Sequence, residues 1–210
     1  MSTPISSNYS YTSAKGAHSD AYLWGTVESI LDNVLKGKGR IFDLGCGNGA
    51  LARRLKTLGY EVRGVDPSEE GIAQARQADP DMFLEVGSAY DPLAKMFGTF
   101  PAVVSLEVVE HVYYPRLFAK CIHDLLEPGG IAVVSTPYHG YWKNLALALL
   151  GKWDRHFTAL WDHGHIKFWS VATLTELFRE QNLNLEVVAR VGRVPTLAKS
   201  MILTFRKPAG

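Results

Sequence analysis

The sequence contains few cysteines and no excess of charge of either sign. Its 210 residues include two cysteines, Cys46 and Cys121, and neither belongs to a disulfide or zinc-ligand spacing. The 22 basic residues are nearly balanced by 21 acidic ones, which gives a net charge of +1. A chain so balanced lacks the positive field that holds a phosphate backbone. We therefore expect neither a disulfide scaffold nor a nucleic-acid partner.

Long apolar runs are also missing. No segment reaches the roughly 18 apolar residues that a membrane-spanning helix needs, and the first residues show no basic cluster followed by an apolar stretch, as an export signal would. The expected location is the cytoplasm. Because 47% of the residues are hydrophobic, the chain can bury a large core. We predict a single domain over residues 19–210, preceded by a flexible segment over 1–18 that is rich in Ser, Thr and Tyr.

Apolar residues recur in two alternating patterns. Residues 21–35 carry a helical stripe, formed by Leu23, Val27, Ile30, Leu31 and Val34. From residue 40 onward, short continuous apolar runs such as IFDLG, EVRGVD and IAVVST alternate with helical patterns such as ALARRLKTL and PRLFAKCIHDLL. Strands buried on both faces have such continuous runs, and parallel strands need crossover helices. The sequence therefore predicts an α/β fold, a Rossmann-like doubly wound sheet with helices on both faces.

The C-terminal part departs from this alternation. The segments LEVVARVG and SMILTFRK are joined by a connection too short for a parallel crossover, so we expect seven strands with an antiparallel pair at the end. Between the fifth strand and the last helix, residues 139–169 fit no βα unit. Long insertions at such an edge often cover a site, and we predict a lid here.

A glycine-rich turn, DLGCGNGA, follows the first predicted strand. Glycines allow a sharp turn and a close approach of the backbone to a ligand. Asp66, about twenty residues further on, ends the second strand, where a carboxylate can accept hydrogen bonds from a ribose. GCGNGA also satisfies a dinucleotide fingerprint. Asp43 favours a different cofactor, because a carboxylate is poorly placed beside a pyrophosphate but can reach an ammonium group.

Five segments in order, DLGCGNG, VDPS, GSAYD, SLEVVEHV and LEPGG with its following IAVVSTP, resemble the motifs of class I S-adenosylmethionine methyltransferases. The EVxEHV and STP forms resemble the ubiquinone-biosynthesis O-methyltransferase branch. The resemblance implies an S-adenosylmethionine site, with S-adenosylhomocysteine as product. It implies that Asp43, Gly45 and Gly47 contact the amino-acid end of the cofactor, that Asp66 binds the ribose with Pro67 beside it, and that Ser88, Ala89 and Tyr90 border the adenine. Leu106 would pack against the cofactor near the reaction centre, and Glu107 completes the expected cofactor-binding residues.

One feature of that branch has no counterpart in this sequence. The branch has an arginine near the N-terminus that closes the cofactor pocket, and none precedes the glycine turn in a matching position. Four aromatic residues could cover that side instead: Tyr9, Tyr11, His18 and Trp24.

Candidate catalytic groups lie just beyond the fourth and fifth strands. Methyl transfer needs a base only when the acceptor carries a proton, and histidine is suited to that role. His111 is the first candidate and His139 the second. An alternative is that Glu107, Glu110 and His111 bind a divalent cation that acidifies the acceptor, although we assign no metal site from the sequence.

The predicted insertion is rich in histidine and aromatic residues. His163 and His165 contact either substrate or the lid itself, and the insertion's tryptophans form either an aromatic wall around a planar acceptor or the core of the lid. YWKNLALALLGKW can also be read as a helix lying on a membrane surface.

Together these observations predict methyl transfer to a small molecule, with oxygen as the acceptor atom. Nitrogen or carbon acceptors remain open because one scaffold serves many reactions. Two other classes also remain: an NAD-dependent oxidoreductase, and a cofactor-binding partner protein without catalytic activity. The sequence makes no prediction about oligomeric state.

Overall fold

The computed structural model describes residues 20–157, 159–161 and 164–210. The predicted flexible segment 1–18, with Tyr9, Tyr11 and His18, lies outside the described residues, as does His163. The helices are α1 (Asp20–Leu35), α2 (Ala50–Thr57), α3 (Glu69–Ala78), α4 (Leu93–Phe97), α5 (Pro115–Leu125), α6 (Tyr141–Leu149), α7 (Trp153–Phe157) and α8 (Val171–Arg179). The strands are β1 (Arg40–Leu44), β2 (Glu61–Asp66), β3 (Phe83–Val86), β4 (Phe100–Leu106), β5 (Leu126–Pro137), β6 (Asn184–Val191) and β7 (Ser200–Arg206).

All seven strands form one sheet in the order β3-β2-β1-β4-β5-β7-β6. The pairs among β1 to β5 are parallel, whereas β7 runs antiparallel to both β5 and β6. Strand order reverses between β1 and β4, where open α/β sheets bind their ligands. The predicted Rossmann-like sheet with antiparallel final strands is confirmed. The structure adds that β7 lies inside the sheet and β6 at its edge.

Two hydrophobic clusters cover the two faces of the sheet. Successive residues of a strand alternate between them: Phe42 belongs to the cluster that includes α5 and α8, and Ile41 to the cluster under α1, α2 and α3. Leu23, Val27 and Leu31 of α1 are fully buried, as the helical stripe predicts. Val34 is 36% exposed, so the stripe ends one turn earlier than its spacing suggests.

The predicted insertion lies between β5 and α8. It contains α6, which covers most of the segment read as a surface helix, then α7, a short helix that the sequence pattern did not predict, and an irregular segment that leads to α8. Its role as a lid stays a prediction. Within the described ranges, no helix is both long and apolar enough to cross a bilayer.

Candidate active site at the carboxyl edge of the sheet

The turn after β1 is held tightly against its neighbours. Gly45 has a φ of 85°, a left-handed conformation that other residues adopt at a cost. A Cβ atom added to it would lie 2.4 Å from Cγ2 of Val108, in the segment after β4. The backbone N–H groups of Gly45 and Cys46 both donate to the carbonyl of Val65 in β2. The turn is therefore fixed by β2 on one side and by the β4 side on the other.

Asp66 is fixed beside this turn. Its Oδ2 accepts a hydrogen bond from the backbone N–H of Gly47 at 2.9 Å, and its Oδ1 accepts one from Ser68 at 2.8 Å. The side chain is 7% exposed. Burial raises the pKa of Asp66, and the two backbone hydrogen bonds oppose that rise. Pro67 follows it at the exposed surface. The carboxylate thus has a single orientation, set by the backbone of the turn.

A second buried carboxylate lies on the other side of the turn. Asp43 is 2% exposed and occupies β1 next to Gly64 of β2. Burial raises the pKa of the Cys46 thiol well above its usual value, and the charges of Asp43 and Asp66 add to the rise. The turn therefore lies in a negative potential. Such a potential favours a cationic ligand and opposes a pyrophosphate.

The loop after β3 contains the predicted adenine-side residues. Ser88 donates its N–H to Oδ2 of Asp91 at 2.7 Å, and the Tyr90 N–H donates to the Ser88 hydroxyl. Ala89 packs against the core. The Tyr90 hydroxyl accepts a hydrogen bond from the N–H of Tyr114, so this loop is tied to the start of α5. The structure brings these residues to the carboxyl edge beside Asp66, whose carbonyl accepts from the Gly87 N–H.

Glu107 has an unusual backbone at the end of β4. Its φ of 55° lies in the left-handed region although it is not a glycine, and such conformations are often stored at functional sites. Its Oε1 accepts from the Ser135 hydroxyl at 2.8 Å and its Oε2 from the Ser200 hydroxyl at 3.2 Å. The carboxylate therefore lies on the β5–β7 side of β4, whereas the glycine turn is on the β1 side. Leu106, which precedes it, is half-buried.

Glu110 and His111 meet a residue of the insertion. Side-chain atoms of Glu110, His111 and His165 lie within 4.8 Å of one another. Burial raises the pKa of Glu110 well above its ordinary range, and Glu107 adds to that rise. One carboxylate and two imidazoles are ligand types that suit a divalent transition metal. His165, and not Glu107, is the third member of this group, which differs from the set considered in the sequence.

His111 contacts the insertion in two ways, through a polar contact of Nδ1 and through packing of its ring. Its Nδ1 lies 3.2 Å from the carbonyl oxygen of Gly164, and its ring packs edge-on against His165 and Trp161. A nitrogen lone pair facing a carbonyl oxygen would be repelled, so we assign the proton to Nδ1. The basic nitrogen of neutral His111 is then Nε2.

His139 lies in a different environment, inside an aromatic group. Its ring contacts His156, Phe157 and Phe168, with ring centroids 5.1 to 5.8 Å apart. Burial lowers the pKa of His139 to about 4, and the charge of Lys143 contributes. His139 is the first residue of the insertion and His111 contacts the insertion from outside it, and their ring contacts belong to two different groups.

Three residues hold the carboxyl edge of the sheet in place through contacts that sequence reasoning did not predict. Trp169 donates its indole N–H to the carbonyl of Val109 at 3.1 Å, and Ser135 and Ser200 hold Glu107. A buried serine inside the apolar run IAVVST was the available signal for Ser135. The tryptophan's partner had no signal in the local spacing.

The chain is similar to known methyltransferases. Residues 20–188 match a family described as a methyltransferase domain. The chain is 35% identical over 163 residues to a ubiquinone biosynthesis O-methyltransferase of Ruegeria pomeroyi, a match covering 74% of this chain and 63% of that protein. It is 40% identical over 116 residues to the protein of that name from Caulobacter sp., which covers 53% of this chain and 46% of the relative. The chain thus spans less than two thirds of the length of these relatives.

The fold also occurs in solved structures. An S-adenosylmethionine-dependent methyltransferase from Mesorhizobium loti superposes with a TM-score of 0.69 at 22% identity, covering 91% of this chain and 99% of the other. At such identity the likeness concerns the fold. The family match extends from α1 into β6 and includes the glycine turn, Asp66 and the EVVEHV segment. The chain therefore belongs to the methyltransferase domain family.

Proposed function

We propose that the protein transfers the methyl group of S-adenosylmethionine to an oxygen atom of a small-molecule acceptor. The observation that carries this proposal is the orientation of Asp66 by two backbone N–H groups, next to a turn that a second buried carboxylate makes negative. The names of the curated relatives support oxygen as the acceptor atom. An NAD-dependent oxidoreductase is disfavoured, because its pyrophosphate would approach the same two carboxylates.

The described residues fit the cofactor. A carboxylate has about four acceptor positions, and the backbone uses one on each oxygen of Asp66, so the ribose hydroxyls can donate to the others. Asp43 is suited to the ammonium group of the amino-acid end, with Gly45 and Gly47 allowing close approach. Ser88, Ala89 and Tyr90 would border the adenine. When bound, S-adenosylmethionine supplies a methyl group on a positively charged sulfur. A nucleophile attacks the methyl carbon in line with the carbon–sulfur bond, and the sulfur leaves as the thioether of S-adenosylhomocysteine.

Proton removal from the acceptor is assigned to His111. With its proton on Nδ1 beside Gly164, the imidazole can accept the acceptor's proton on Nε2. Burial lowers the pKa of the second candidate, His139, to about 4, so its imidazole is a weak base. Its packing among Phe157 and Phe168 suits contact with an apolar part of the acceptor instead.

Calorimetric titration with S-adenosylhomocysteine tests the proposal. We expect binding by the unaltered protein and a loss of at least tenfold in affinity in Asp66→Ala, because the ribose hydroxyls lose their charged acceptor. Asp81→Ala, which removes an exposed carboxylate near β3, is the matched control and should bind normally. Equal affinity of Asp66→Ala and Asp81→Ala would refute the ribose assignment. Failure of the unaltered protein to bind would refute the proposed function.

A further inference from the structure

A cavity of about 380 Å³ lies beside the candidate active site and is not part of the cofactor region. Its apolar wall consists of residues in the C-terminal half of α6 and directly after it, together with Leu197 from the connection between β6 and β7. Its cationic lining comes from three segments of the chain: α6, the turn after α6, and the connection between β6 and β7. The apolar residues are Ala146, Leu147, Leu150 and Leu197, and the cationic ones are Lys143, Lys152, Arg193 and Lys199.

The charged residues that line this cavity all have the same sign. None of the described residues that line it is acidic, and none of its four cationic side chains forms a salt bridge within the described part of the chain. Elsewhere on the surface, Arg54, Lys56 and Arg116 are each paired with a carboxylate. Other described cations, such as Lys38 and Lys95, also lack a salt bridge, so what distinguishes this cavity is that four cations line one apolar hollow.

Lys143 is the member of this set closest to the interior. It is half-buried, and its ammonium donates a hydrogen bond to the carbonyl of Tyr138 at 2.7 Å. Burial lowers the pKa of Lys143, the neighbouring charge of Arg193 lowers it further, and the charge of Glu107 opposes both effects. The two cations thus repel each other across the cavity, and an anion between them would relieve that repulsion.

The position of the cavity connects it to methyl transfer. Pro137, in its lining, ends β5, and Lys199 directly precedes β7. Glu107, at the end of β4, acts electrostatically on Lys143. The cavity therefore opens at the same sheet edge as the candidate active site, two strands from the glycine turn. A ligand held at the end of β4 can extend into it.

We propose that this cavity binds the anionic end of the methyl acceptor, which is an amphipathic molecule with a carboxylate or phosphate group on an apolar body. The inference rests on the proposed function and specifies its substrate class. Arg193 can bind an oxyanion through paired hydrogen bonds, and the lysines supply point charges. Leu147 of α6 and Leu150 directly after the helix would contact the apolar body.

Calorimetry on the full chain saturated with S-adenosylhomocysteine tests this assignment. The probes are octanoate, octyl phosphate and octanol, which share a chain and differ in the head group. We expect both acids to bind at least tenfold more tightly than octanol, with affinity falling as salt is added. The tighter of the two acids identifies whether the natural group is a carboxylate or a phosphate ester.

Substitutions of the cationic residues test whether the acids bind in this cavity. Arg193→Gln and Lys152→Gln alter exposed side chains, and each should weaken binding of the acids, Arg193→Gln by about tenfold. Lys38→Gln, an exposed lysine at the opposite edge of the sheet, is the matched control and should change nothing. Octanol binding as tightly as the acids, or Arg193→Gln binding them like the unaltered protein, would overturn the inference.

The same samples separate this inference from the proposed function. If S-adenosylhomocysteine binds and the acids do not, the substrate class is wrong and the methyltransferase proposal stands. If S-adenosylhomocysteine itself does not bind, the proposed function fails.

Discussion

At the scale of single residues, Gly45 links the fold to the candidate site. Its backbone has positive φ and its Cα faces Val108, so an added methyl group meets both strain and a clash. The left-handed conformation alone costs roughly 1–2 kcal/mol for a residue with a Cβ. The same glycine is expected to lie against the amino-acid end of the cofactor, so its replacement should affect both stability and binding.

We predict that Gly45→Ala lowers the free energy of unfolding by more than that strain and reduces affinity for S-adenosylhomocysteine. Gly37→Ala is the matched control: its φ is 72°, and its nearest neighbour to an added Cβ is 3.7 Å away. It should lose only the strain and bind normally. Urea unfolding and calorimetry measure the two effects. Similar losses in both variants would mean that the approach of Val108 is unimportant.

A second prediction concerns buried histidines and pH. Burial lowers the pKa of both His139 and His165 from 6.5 to about 4. Each group binds a proton more readily in the unfolded chain, so its contribution to stability is complete above pH 6.5 and is lost as pH falls toward 4. His139→Gln should therefore lose less stability than the unaltered protein between pH 6.5 and 4, measured by urea unfolding. Parallel curves would contradict the assigned burial of the neutral ring.

At the scale of elements, the insertion is anchored more firmly at its end than at its start. The N–H groups of Ile166 and Lys167 both donate to the carbonyl of Glu110, and Trp169 donates to Val109. In contrast, α6 exposes Tyr141 and Trp142 by 72% and 62%. The segment before α8 thus holds the EVVEHV region in position, whereas none of the residues of α6 is fully buried. The prediction that α6 lies on a membrane surface stays untested.

We predict that Trp169→Phe destabilises the protein by about 1 to 3 kcal/mol, because the buried carbonyl of Val109 loses its donor. Trp142→Phe removes an exposed indole and should change stability little. Equilibrium unfolding in urea compares the two. If the variants were equally stable, the indole hydrogen bond would not anchor the insertion.

The elements that could be predicted from sequence are those whose apolar residues pack in the core on one or both faces of the sheet. Strands such as β1 and β4 are continuous apolar runs because both faces are covered. The start of β5 was missed because LEPGG contains a proline and two glycines, yet Leu126 pairs with Phe100 across an irregular register. Helices α4 and α7 have five residues each, too few for a periodic pattern.

The candidate site also contains some residues that could be predicted from sequence and some that could not. Asp43, Gly45 and Asp66 lie at strand ends, so alternation of strands and helices already brings them to one edge. The partners of Glu110 and Glu107 do not follow from local spacing. His165 comes from an irregular insertion and Ser200 from a strand that is distant in sequence, and their positions depend on how the whole chain packs.

At the scale of the whole molecule, a ligand that binds only the folded state should stabilise all of it. At a hundred times its dissociation constant, S-adenosylhomocysteine contributes about 2.7 kcal/mol. For a chain of this size, roughly 2–4 °C per kcal/mol gives a rise in Tm of about 5–11 °C. NAD at the same concentration should leave Tm unchanged. A rise with NAD and none with S-adenosylhomocysteine would favour an oxidoreductase.

The position of β7 also constrains how the chain can assemble. Strand β6 touches the sheet through β7, although β6 is made first. Among the described strands, β6 pairs with β7 alone, and Ile202 and Phe205 of β7 lie in the cores on the two opposite faces of the sheet. Any change that displaces residues 200–206 therefore opens both faces of the core and detaches β6 from the sheet at the same time.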